Sequence, residues 1–353
     1  MGTLRYIGSK ARIVAAILDV VGSPRPQEQG AFVDLFAGTG IVSREAAIRG
    51  WHVRANDHLH SCTAITTAQL VTELDVPFVS FGGYNSALTK LNEARRRKGF
   101  MYREYTPSGK SRTGHKRCYF TTENGARIDG MRLRIREWRC AGRITEIEER
   151  LLIADLLLAA NSVANIAGTY GCFLRNWTST SIRPIRLCPR PLLPFRRRFE
   201  VSTSDVFDVN FSPCDVVYLD PPYTKRQYAA YYHVLETITA GDNPVVGGVT
   251  GLRPWEEKSS LFCYKREALK AMAKLIAQIA ARRVFISYSS EGHMSLADLK
   301  SVAASFGEVT VHALGTIGRY RPNKVARENG NKVSEYVVEI FRPNAVAAVA
   351  AAG

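Results

Sequence analysis

The sequence predicts an α/β protein whose parallel sheet is interrupted by a long basic insertion. Two stretches, roughly 1–80 and 200–342, show the alternation of short apolar strands and helices that is typical of a doubly wound sheet. Between them, over about 81–199, that alternation is absent and positive charge accumulates. With 353 residues, 46% of them hydrophobic, the chain is long enough for one large domain or two ordinary ones.

The first α/β stretch predicts a helix followed by a strand, a second helix and a second strand. Apolar spacing and the positions of proline and glycine set the bounds. The elements are a helix over Ile13–Val21, a strand over Ala31–Phe36, a helix over Ile41–Ile48 closed by Gly50, a strand over His52–Ala55 that ends at Asn56 and Asp57, and a helix at about 64–74. Strand, turn, helix and strand in this order open a doubly wound sheet.

The insertion is strongly basic. From Lys90 to Arg143 there are sixteen Lys and Arg against five Asp and Glu, and the whole chain carries a net charge of +16. Aromatic residues are interleaved with these charges, and a second basic stretch covers Arg186–Arg198. One apolar helix is expected at 147–161. Such a charge balance favours a polyanionic partner, most often nucleic acid.

The second α/β stretch resumes the pattern of strands and helices. The predicted strands are 199–201, 215–219, 284–288, 309–314 and 333–341, and the predicted helices are 228–238, 265–281 and 296–306, with a loop at 253–262. The last residues, 343–353, read AVAAVAAAG after Pro343 and Asn344 and form a low-complexity tail that we expect to be frayed.

A glycine turn, DLFAGTG, spans Asp34 to Gly40. Glycines at a strand end permit a tight turn and let a ligand approach the backbone. A dinucleotide-binding turn would carry a third glycine where this chain has Ser43, which weakens a nicotinamide interpretation. Asp57, at the end of the next strand, is placed to accept hydrogen bonds from ribose hydroxyls. The alternative for Asp57 is a helix N-cap.

A second strand-end motif, Asp220-Pro221-Pro222-Tyr223, predicts a pocket for a flat ring that carries an amino group. An aryl amino group is a poor nucleophile because its lone pair is delocalised into the ring. Acceptors at its two N–H bonds, the Asp220 carboxylate and the Pro221 carbonyl, would free that lone pair. The prolines stiffen the carbonyl, and Tyr223 can stack on the ring.

These motifs, with RYIGSK (Arg5–Lys10) and ISYSSEG (Ile286–Gly292), resemble the Dam-like, or alpha, group of DNA adenine-N6 methyltransferases that use S-adenosylmethionine, of the kind found in restriction–modification systems. The resemblance implies a Rossmann-like class I methyltransferase sheet. It implies a catalytic domain split over 1–80 and 200–342, which binds S-adenosylmethionine and releases S-adenosylhomocysteine. It also implies a target-recognition domain over 81–199.

The resemblance also implies roles for individual residues. Tyr6 and Lys10 would enclose the methionyl end of the cofactor and approach DNA. Asp34, Phe36, Gly38 and Gly40 would line the cofactor, Asp57 would hold its ribose and Asp205 its adenine, although Asp205 also fits a helix cap. Asp220 to Tyr223 would hold the target base, with Tyr288 as a wall of that pocket. We expect no metal ion.

A target base inside a duplex must be flipped out, and phosphate contacts would compensate the cost. The expected DNA contacts are Lys10, then Arg95, Arg96, Arg97, Lys116 and Arg117 in the insertion, and Arg226, Gln227 and Tyr228 after the catalytic motif. The alternative for the run from Arg95 to Lys98 is a solvated helix face. The alternative for the last three residues is a polar helix start.

Several other functions are compatible with parts of the sequence. Cytosine C5 methylation would need a nucleophilic cysteine, but Cys214 precedes a strand instead of ending one. Three other substrates remain as alternatives: the amino group of cytosine, an adenine in RNA and a protein glutamine. A fourth alternative is a non-catalytic DNA-binding protein on the same scaffold. Asp220 and the basic insertion favour adenine in double-stranded DNA. A cognate restriction endonuclease is a possible functional partner.

The sequence also indicates a cellular location. No apolar run approaches the length of a membrane helix, and the amino-terminal residues lack the apolar core of a signal peptide. The seven cysteines are scattered and form no C-x-x-C pair, which argues against a zinc ribbon or a disulfide framework. We therefore expect a cytoplasmic, nucleoid-associated protein of prokaryotic or phage-like type, with no membrane partner.

Overall fold

A computed structural model describes residues 6–25, 29–109, 111, 113–318 and 332–343. The chain forms two compact units. We call Met1–Ile7, Leu59–Arg196 and Tyr228–Lys258 the helical unit, and Gly8–His58, Arg197–Gln227 and Ser259–Gly353 the sheet unit. These bounds differ from the predicted ranges, because 59–80 and 228–258 belong to the helical unit. The catalytic and target-recognition roles of the predicted ranges stay predictions.

The sheet unit contains a seven-stranded sheet in the order β3-β2-β1-β4-β5-β7-β6. The strands are β1 Phe32–Asp34, β2 Val53–Asp57, β3 Phe199–Thr203, β4 Val216–Leu219, β5 Arg283–Ser289, β6 Glu308–Gly318 and β7 Lys332–Phe341. The first five strands are mutually parallel, and β7 is antiparallel to both β5 and β6. The carboxyl ends of the five parallel strands therefore lie at one edge of the sheet, which is where ligands bind in such folds.

Eleven α-helices occur among the described residues. They are α1 Val14–Val21, α2 Ile41–Ile48, α3 His60–Leu70, α4 Tyr84–Asn92, α5 Phe100–Tyr105, α6 Thr122–Cys140, α7 Glu146–Ser162, α8 Tyr228–Tyr231, α9 His233–Ala240, α10 Ala268–Gln278 and α11 Leu296–Ala304. Helices α3 to α9 belong to the helical unit and the rest to the sheet unit. In the described part of the chain, no helix is both long enough and apolar enough to cross a bilayer.

The core of the sheet unit explains why its central strands read as continuous apolar runs. All four residues of β4 and all seven of β5 are buried. Val217 and Leu219 pack in one cluster with Ile286 and with Met272 and Leu275 of α10. A parallel strand covered on both faces buries successive side chains, so its sequence shows no alternation.

The predicted helix at about 64–74 is displaced in the structure, because α3 begins at His60 and ends at Leu70. Its N-cap residue, Leu59, makes no capping bond with its side chain. The carboxylate of Glu236, on α9, instead accepts hydrogen bonds from the backbone nitrogens of His60 and Ser61, at 3.1 and 2.9 Å. A cap supplied by a distant residue leaves no signal beside the helix.

Two further sequence expectations need correction. The helix predicted over 228–238 is broken at Tyr232 into α8 and α9. The predicted strand 31–36 is shortened to β1, because the glycine turn begins directly after Asp34. The other predicted strands and helices are present, with ends that differ by a few residues.

Candidate active site

The glycine turn follows β1 and leads into α2. Gly38 and Gly40 have φ angles of 53° and 71°, in the left-handed region that residues with a Cβ rarely adopt. Gly40 is the N-cap residue of α2, which begins at Ile41. The backbone itself therefore requires both glycines, and the turn brings its peptide groups to the carboxyl edge of the sheet.

Asp57 ends β2 and is bound to this turn. Its Oδ2 accepts a hydrogen bond from the backbone nitrogen of Gly38 at 2.8 Å. The N-cap of α3 is Leu59, so the capping alternative for Asp57 is wrong. A half-buried carboxylate thus lies beside the glycine turn, where a neighbouring ligand could meet it.

Asp34 is the buried acid of the same turn. Its Oδ2 accepts a hydrogen bond from the Ser43 hydroxyl at 2.7 Å. Burial raises the pKa of the Asp34 carboxyl to about 7, the Ser43 hydrogen bond opposes the rise, and the charges of Asp220 and Asp57 add to it. The acid is therefore poised between its neutral and charged forms near neutral pH.

Aromatic rings lie near the ends of β1 and β3. The rings of Phe36 and Phe262 meet edge to face at 5.3 Å, and Phe207 stacks on Phe262 at 6.3 Å. Asp205 accepts a hydrogen bond from the Phe207 nitrogen at 2.9 Å and caps the short 3₁₀ turn Val206–Asp208. The cap expected as an alternative for Asp205 is therefore present, and its contact to adenine stays a prediction. Rings, carboxylates and a glycine turn together suit a ligand with hydroxyl groups and a flat ring.

The Asp220–Tyr223 motif follows β4, next to β1 in the sheet. The Asp220 side chain is 16% exposed, and its Oδ1 lies 3.1 Å from Nζ of Lys10, whose side chain is 5% exposed. The Tyr223 carbonyl accepts a hydrogen bond from the His293 nitrogen at 2.9 Å, and its ring meets that of Tyr288 at 5.7 Å. These contacts fix the residues on both sides of the two prolines.

Tyr288 is held by its own hydroxyl. The hydroxyl donates to the carbonyl of Met294 at 3.1 Å and accepts from the Met294 nitrogen at 2.8 Å. The ring is almost fully buried and lies against Tyr223. Tyr288 therefore supports Tyr223 from within the core, and its direct contact with a target base stays a prediction.

Lys10 has a second anionic neighbour, which the sequence did not indicate. Its Nζ lies 3.5 Å from Oε2 of Glu335 and 3.4 Å from the Tyr223 hydroxyl. Burial lowers the pKa of Lys10, but the interactions with Asp220, then with Tyr223 and Tyr218, and last with Glu335 outweigh it and hold that pKa well above its usual range. Burial raises the pKa of Asp220, and Lys10 offsets part of that rise.

Glu335 reaches this cluster through the sheet topology. Because β7 is antiparallel to β5, its amino-terminal half lies beside the carboxyl end of β5, where Glu335 pairs with Ser289. The Glu335 carboxylate reaches the carboxyl edge of the parallel strands because β7 runs antiparallel to β5. Nothing in the sequence around Lys10 indicates that Glu335, 325 residues away, lies beside it.

Residues 6–299 match the model of a family described as D12 class N6 adenine-specific DNA methyltransferase. The chain belongs to this family. The match covers most of the chain and includes the glycine turn, Asp57 and the Asp220–Tyr223 motif. A methyltransferase of this family requires a methyl donor and a DNA substrate.

Curated relatives agree with the family. The D12 chain is 30% identical to type II methyltransferase M.FokI of Planomicrobium okeanokoites over 96% of its own length and 52% of the relative. It is 31% identical to M.NlaIII of Neisseria lactamica over 95% and 98%, and 30% identical to M.CviAII of Paramecium bursaria Chlorella virus 1 over 97% and 99%. The chain thus spans about half the length of M.FokI and nearly all of the other two.

Two predicted DNA contacts of this D12 protein need correction because their side chains are buried. Arg117 is fully buried, with Nη1 2.9 Å from Oε2 of Glu104, and it donates to the carbonyls of Gly248 and Val249. Gln227 is buried and its amide bonds both backbone groups of Ser260, at 3.1 and 2.8 Å. Both side chains are buried and bind loop backbone, so neither is exposed to a phosphate.

Lys10 is also buried, with its ammonium paired to Asp220 and Glu335 inside the sheet unit, and its contact to DNA stays a prediction. Its contact to the cofactor stays a prediction. Tyr6 and Tyr228 lie in the helical unit, where their rings meet at 5.4 Å. The Tyr228 hydroxyl donates to the Ile7 carbonyl at 3.1 Å. The predicted cofactor role of Tyr6 and DNA role of Tyr228 stay predictions.

The remaining predicted DNA contacts are exposed. Arg95, Arg96, Arg97 and Lys98 lie in an irregular segment between α4 and α5, so the helix-face alternative is wrong. Arg96 pairs with Glu123, with Nε 2.7 Å from Oε1. Lys116 and Arg226 are also exposed. Their contact with DNA stays a prediction.

Proposed function

We propose that this chain transfers a methyl group from S-adenosylmethionine to the N6 amino group of adenine within a specific sequence of double-stranded DNA. The observation that carries the proposal is the Asp220–Tyr223 motif at the carboxyl end of β4, beside the strand that leads into the glycine turn. Membership of the D12 family supports both the base and the reaction.

The residues around the glycine turn fit the cofactor. Asp57, already oriented by the Gly38 nitrogen, would accept hydrogen bonds from the ribose hydroxyls. Phe36 would offer an apolar surface to the adenine ring of the cofactor, and Asp205 an acceptor for its amino group. Bound there, S-adenosylmethionine would supply an electrophilic methyl group.

The catalytic work of the chain is to make the adenine amino group nucleophilic. The Asp220 carboxylate and the Pro221 carbonyl accept its two N–H bonds, which favours a tetrahedral nitrogen with a free lone pair. Tyr223 packs on the face of the base, and its contacts with His293 and Tyr288 hold it in place. The nitrogen then attacks the methyl group directly, so no covalent enzyme intermediate forms.

The target adenine must leave the duplex before it meets Asp220, at a cost of a few kcal/mol. Exposed cations in the helical unit, Arg95 to Lys98 and Lys116, would offset this cost by binding phosphates. Because several relatives are type II methyltransferases or modification methylases, we also propose a cognate restriction endonuclease that cuts the same sequence.

The proposal is tested by expressing the chain in cells that lack adenine methylation and measuring DNA nucleosides by mass spectrometry. We expect N6-methyladenine with the wild-type chain and with Asp208→Ala, an exposed carboxylate of the same unit, but none with Asp220→Ala. DNA binding by Asp220→Ala should survive. N4-methylcytosine would overturn the base assignment. Methylated RNA would overturn the assignment of DNA, and unchanged turnover by Asp220→Ala would overturn the mechanism.

A further inference from the structure

Lys10, Asp220 and Glu335 form a buried cluster of three charged groups within the sheet unit. One ammonium lies 3.1 Å from Oδ1 of Asp220 and 3.5 Å from Oε2 of Glu335. The side chains of Lys10, Asp220 and Glu335 are 5%, 16% and 7% exposed. Two carboxylates on one ammonium leave a net negative charge of one where water screens poorly.

The position of the ammonium conflicts with the work that Asp220 has in the proposed function. The target amino group must donate a hydrogen bond to the Asp220 carboxylate, which Lys10 already contacts. A lysine paired with Asp220 alone would neutralise it and weaken it as an acceptor. The lysine therefore needs a second anionic partner when the base arrives.

We propose that Glu335 is a positioning residue that takes up the Lys10 ammonium when Asp220 accepts the amino group of the target adenine. This inference rests on the proposed function and deepens it. Glu335 does not touch the base, and it acts through Lys10. The two partners already lie within 3.5 Å of Nζ, so a small movement of the lysine head group exchanges one for the other.

The fold holds Glu335 firmly enough for this role. The residue lies in β7, in register with Ser289 of β5, and the Ser334 carbonyl accepts from the Ser290 nitrogen at 3.0 Å. Its carboxylate is buried on an ordered strand, so little conformational entropy is lost when Lys10 binds it. The lysine carries its ammonium on a flexible stem of four carbons, so the Lys10 side chain is the part of the cluster that moves.

The net charge of the cluster also suits the chemistry. Methyl transfer forms a bond between N6 and carbon, breaks the sulfur–carbon bond of the donor and leaves a surplus proton on N6. That proton passes to the Asp220 carboxylate and from there to water. The positive charge that develops on N6 is stabilised when Glu335 balances Lys10 and Asp220 keeps its full negative charge.

The other titratable groups around the cluster set the expected pH dependence. Glu335 faces Lys10, Asp220 and Glu291, and Asp220 faces Lys10, Asp34, Tyr218 and Tyr223. Burial raises the pKa of Tyr223 to about 12, and that of Tyr218 is also raised, so both phenols are neutral at working pH. Burial likewise raises the pKa of Glu335, and Lys10 opposes that rise.

The test is the pH profile of Glu335→Gln, with DNA from a host that lacks adenine methylation as the substrate. We expect kcat to fall about tenfold, while KM for DNA and its Kd stay within about twofold. Once the Glu335 charge is lost, Lys10 pairs more closely with Asp220 and lowers the pKa of Asp220. The acid limb of kcat should therefore move to lower pH, by about one unit. A purely structural defect would lower kcat without moving the limb.

Glu339→Gln is the matched control, since Glu339 lies on the same strand and pairs with Arg283 and His312. It should leave kcat and the acid limb unchanged. Thermal unfolding of each variant excludes a loss of folded protein. Glu335→Asp, one methylene shorter, should restore part of kcat and of the limb. A wild-type profile for Glu335→Gln would overturn the inference.

Dependence on Lys10 gives a second, independent criterion. If Glu335 acts through the lysine, Glu335→Gln should have no further effect on kcat in a Lys10→Met background. Additive losses would overturn the inference. A wild-type chain that makes no methylated adenine would overturn the proposed function instead, so the two failures are distinguishable.

Discussion

The guanidinium of Arg117 lies 2.9 Å from the carboxylate of Glu104, and neither side chain has more than 2% of its surface exposed. The same guanidinium donates to the carbonyls of Gly248 and Val249, which follow in the chain 131 and 132 residues later. A cation that the sequence groups with DNA contacts therefore stabilises the interior of the helical unit. Its exposed neighbour Lys116 provides a direct comparison.

Arg117→Ala should lower the free energy of unfolding by about 3–5 kcal/mol, because it leaves Glu104 buried without its cation. Lys116→Ala should change that free energy by less than about 0.5 kcal/mol and should weaken DNA binding instead. Urea unfolding followed by circular dichroism measures the first effect, and fluorescence anisotropy with labelled DNA measures the second. Equal stability of the two variants would contradict this prediction.

Asp57→Ala should raise the Kd for S-adenosylhomocysteine about 10- to 100-fold, because it removes a charged acceptor that the Gly38 nitrogen already orients. Calorimetric titration measures the change, and Kd for DNA alone serves as the internal control.

At the second carboxylate, Asp205→Asn keeps an oxygen that can cap Phe207 but loses the negative charge. A cofactor affinity unchanged in both Asp205→Asn and Asp205→Ala would remove Asp205 from the cofactor site.

Asp34 should make the protein less stable as the pH rises from about 4 to about 7. The pKa of its carboxyl is about 7 in the folded chain against a usual value of 3.8, so the folded state holds its proton more tightly than the unfolded state. The stabilisation is full below about pH 4 and is lost above about pH 7, with a size of about 4 kcal/mol.

Asp34→Asn should flatten this dependence and raise the stability at pH 8, measured by urea unfolding at a series of pH values. The amide keeps an acceptor for the Ser43 hydroxyl, so the turn should persist. Ser43→Ala is the control, since it removes the hydrogen bond that opposes the rise in pKa and should extend the dependence to higher pH. A wild-type slope in Asp34→Asn would show that other carboxyls cause it.

The arginine run should contribute to the salt dependence of DNA binding. Replacing Arg95, Arg96 and Arg97 by alanine should reduce the slope of log K against log salt by about 2–3 if all three bind phosphates. Arg96→Ala alone should reduce it less than Arg95→Ala, because Glu123 already pairs with Arg96. Arg150→Ala, on α7 and paired with Glu146, should leave the slope unchanged. An unchanged slope in the triple variant would remove this segment from the DNA interface.

Local patterns predicted the parts of this molecule that depend on local chemistry. The glycine turn, the strand ends at Asp57 and Leu219 and the helix α2 follow from glycine, proline and apolar spacing alone. The buried strands β4 and β5 were recognisable because a strand covered on both faces carries consecutive apolar residues, here Val216–Leu219 and 284–286.

Features that depend on partners distant in the chain could not be predicted from the sequence. The start of α3 is set by Glu236, about 175 residues later, and the environment of Lys10 is set by Glu335. Arg117 shows the opposite error, in which a residue inside a basic run was grouped with its exposed neighbours. Side-chain burial depends on tertiary packing, and net charge over a segment does not report it.

The position of β1 in the sheet has a consequence for synthesis on the ribosome. Val33 of β1 pairs with Arg54 on one side and with Val217 on the other, and the second partner is translated about 180 residues after the first strand. At 5–20 residues per second, one side of β1 stays without its neighbour for about 10–40 s. Glu335 follows later still, so a chain released before that point lacks one of the two carboxylates around Lys10. Such a chain also lacks β7, the strand that pairs with both β5 and β6.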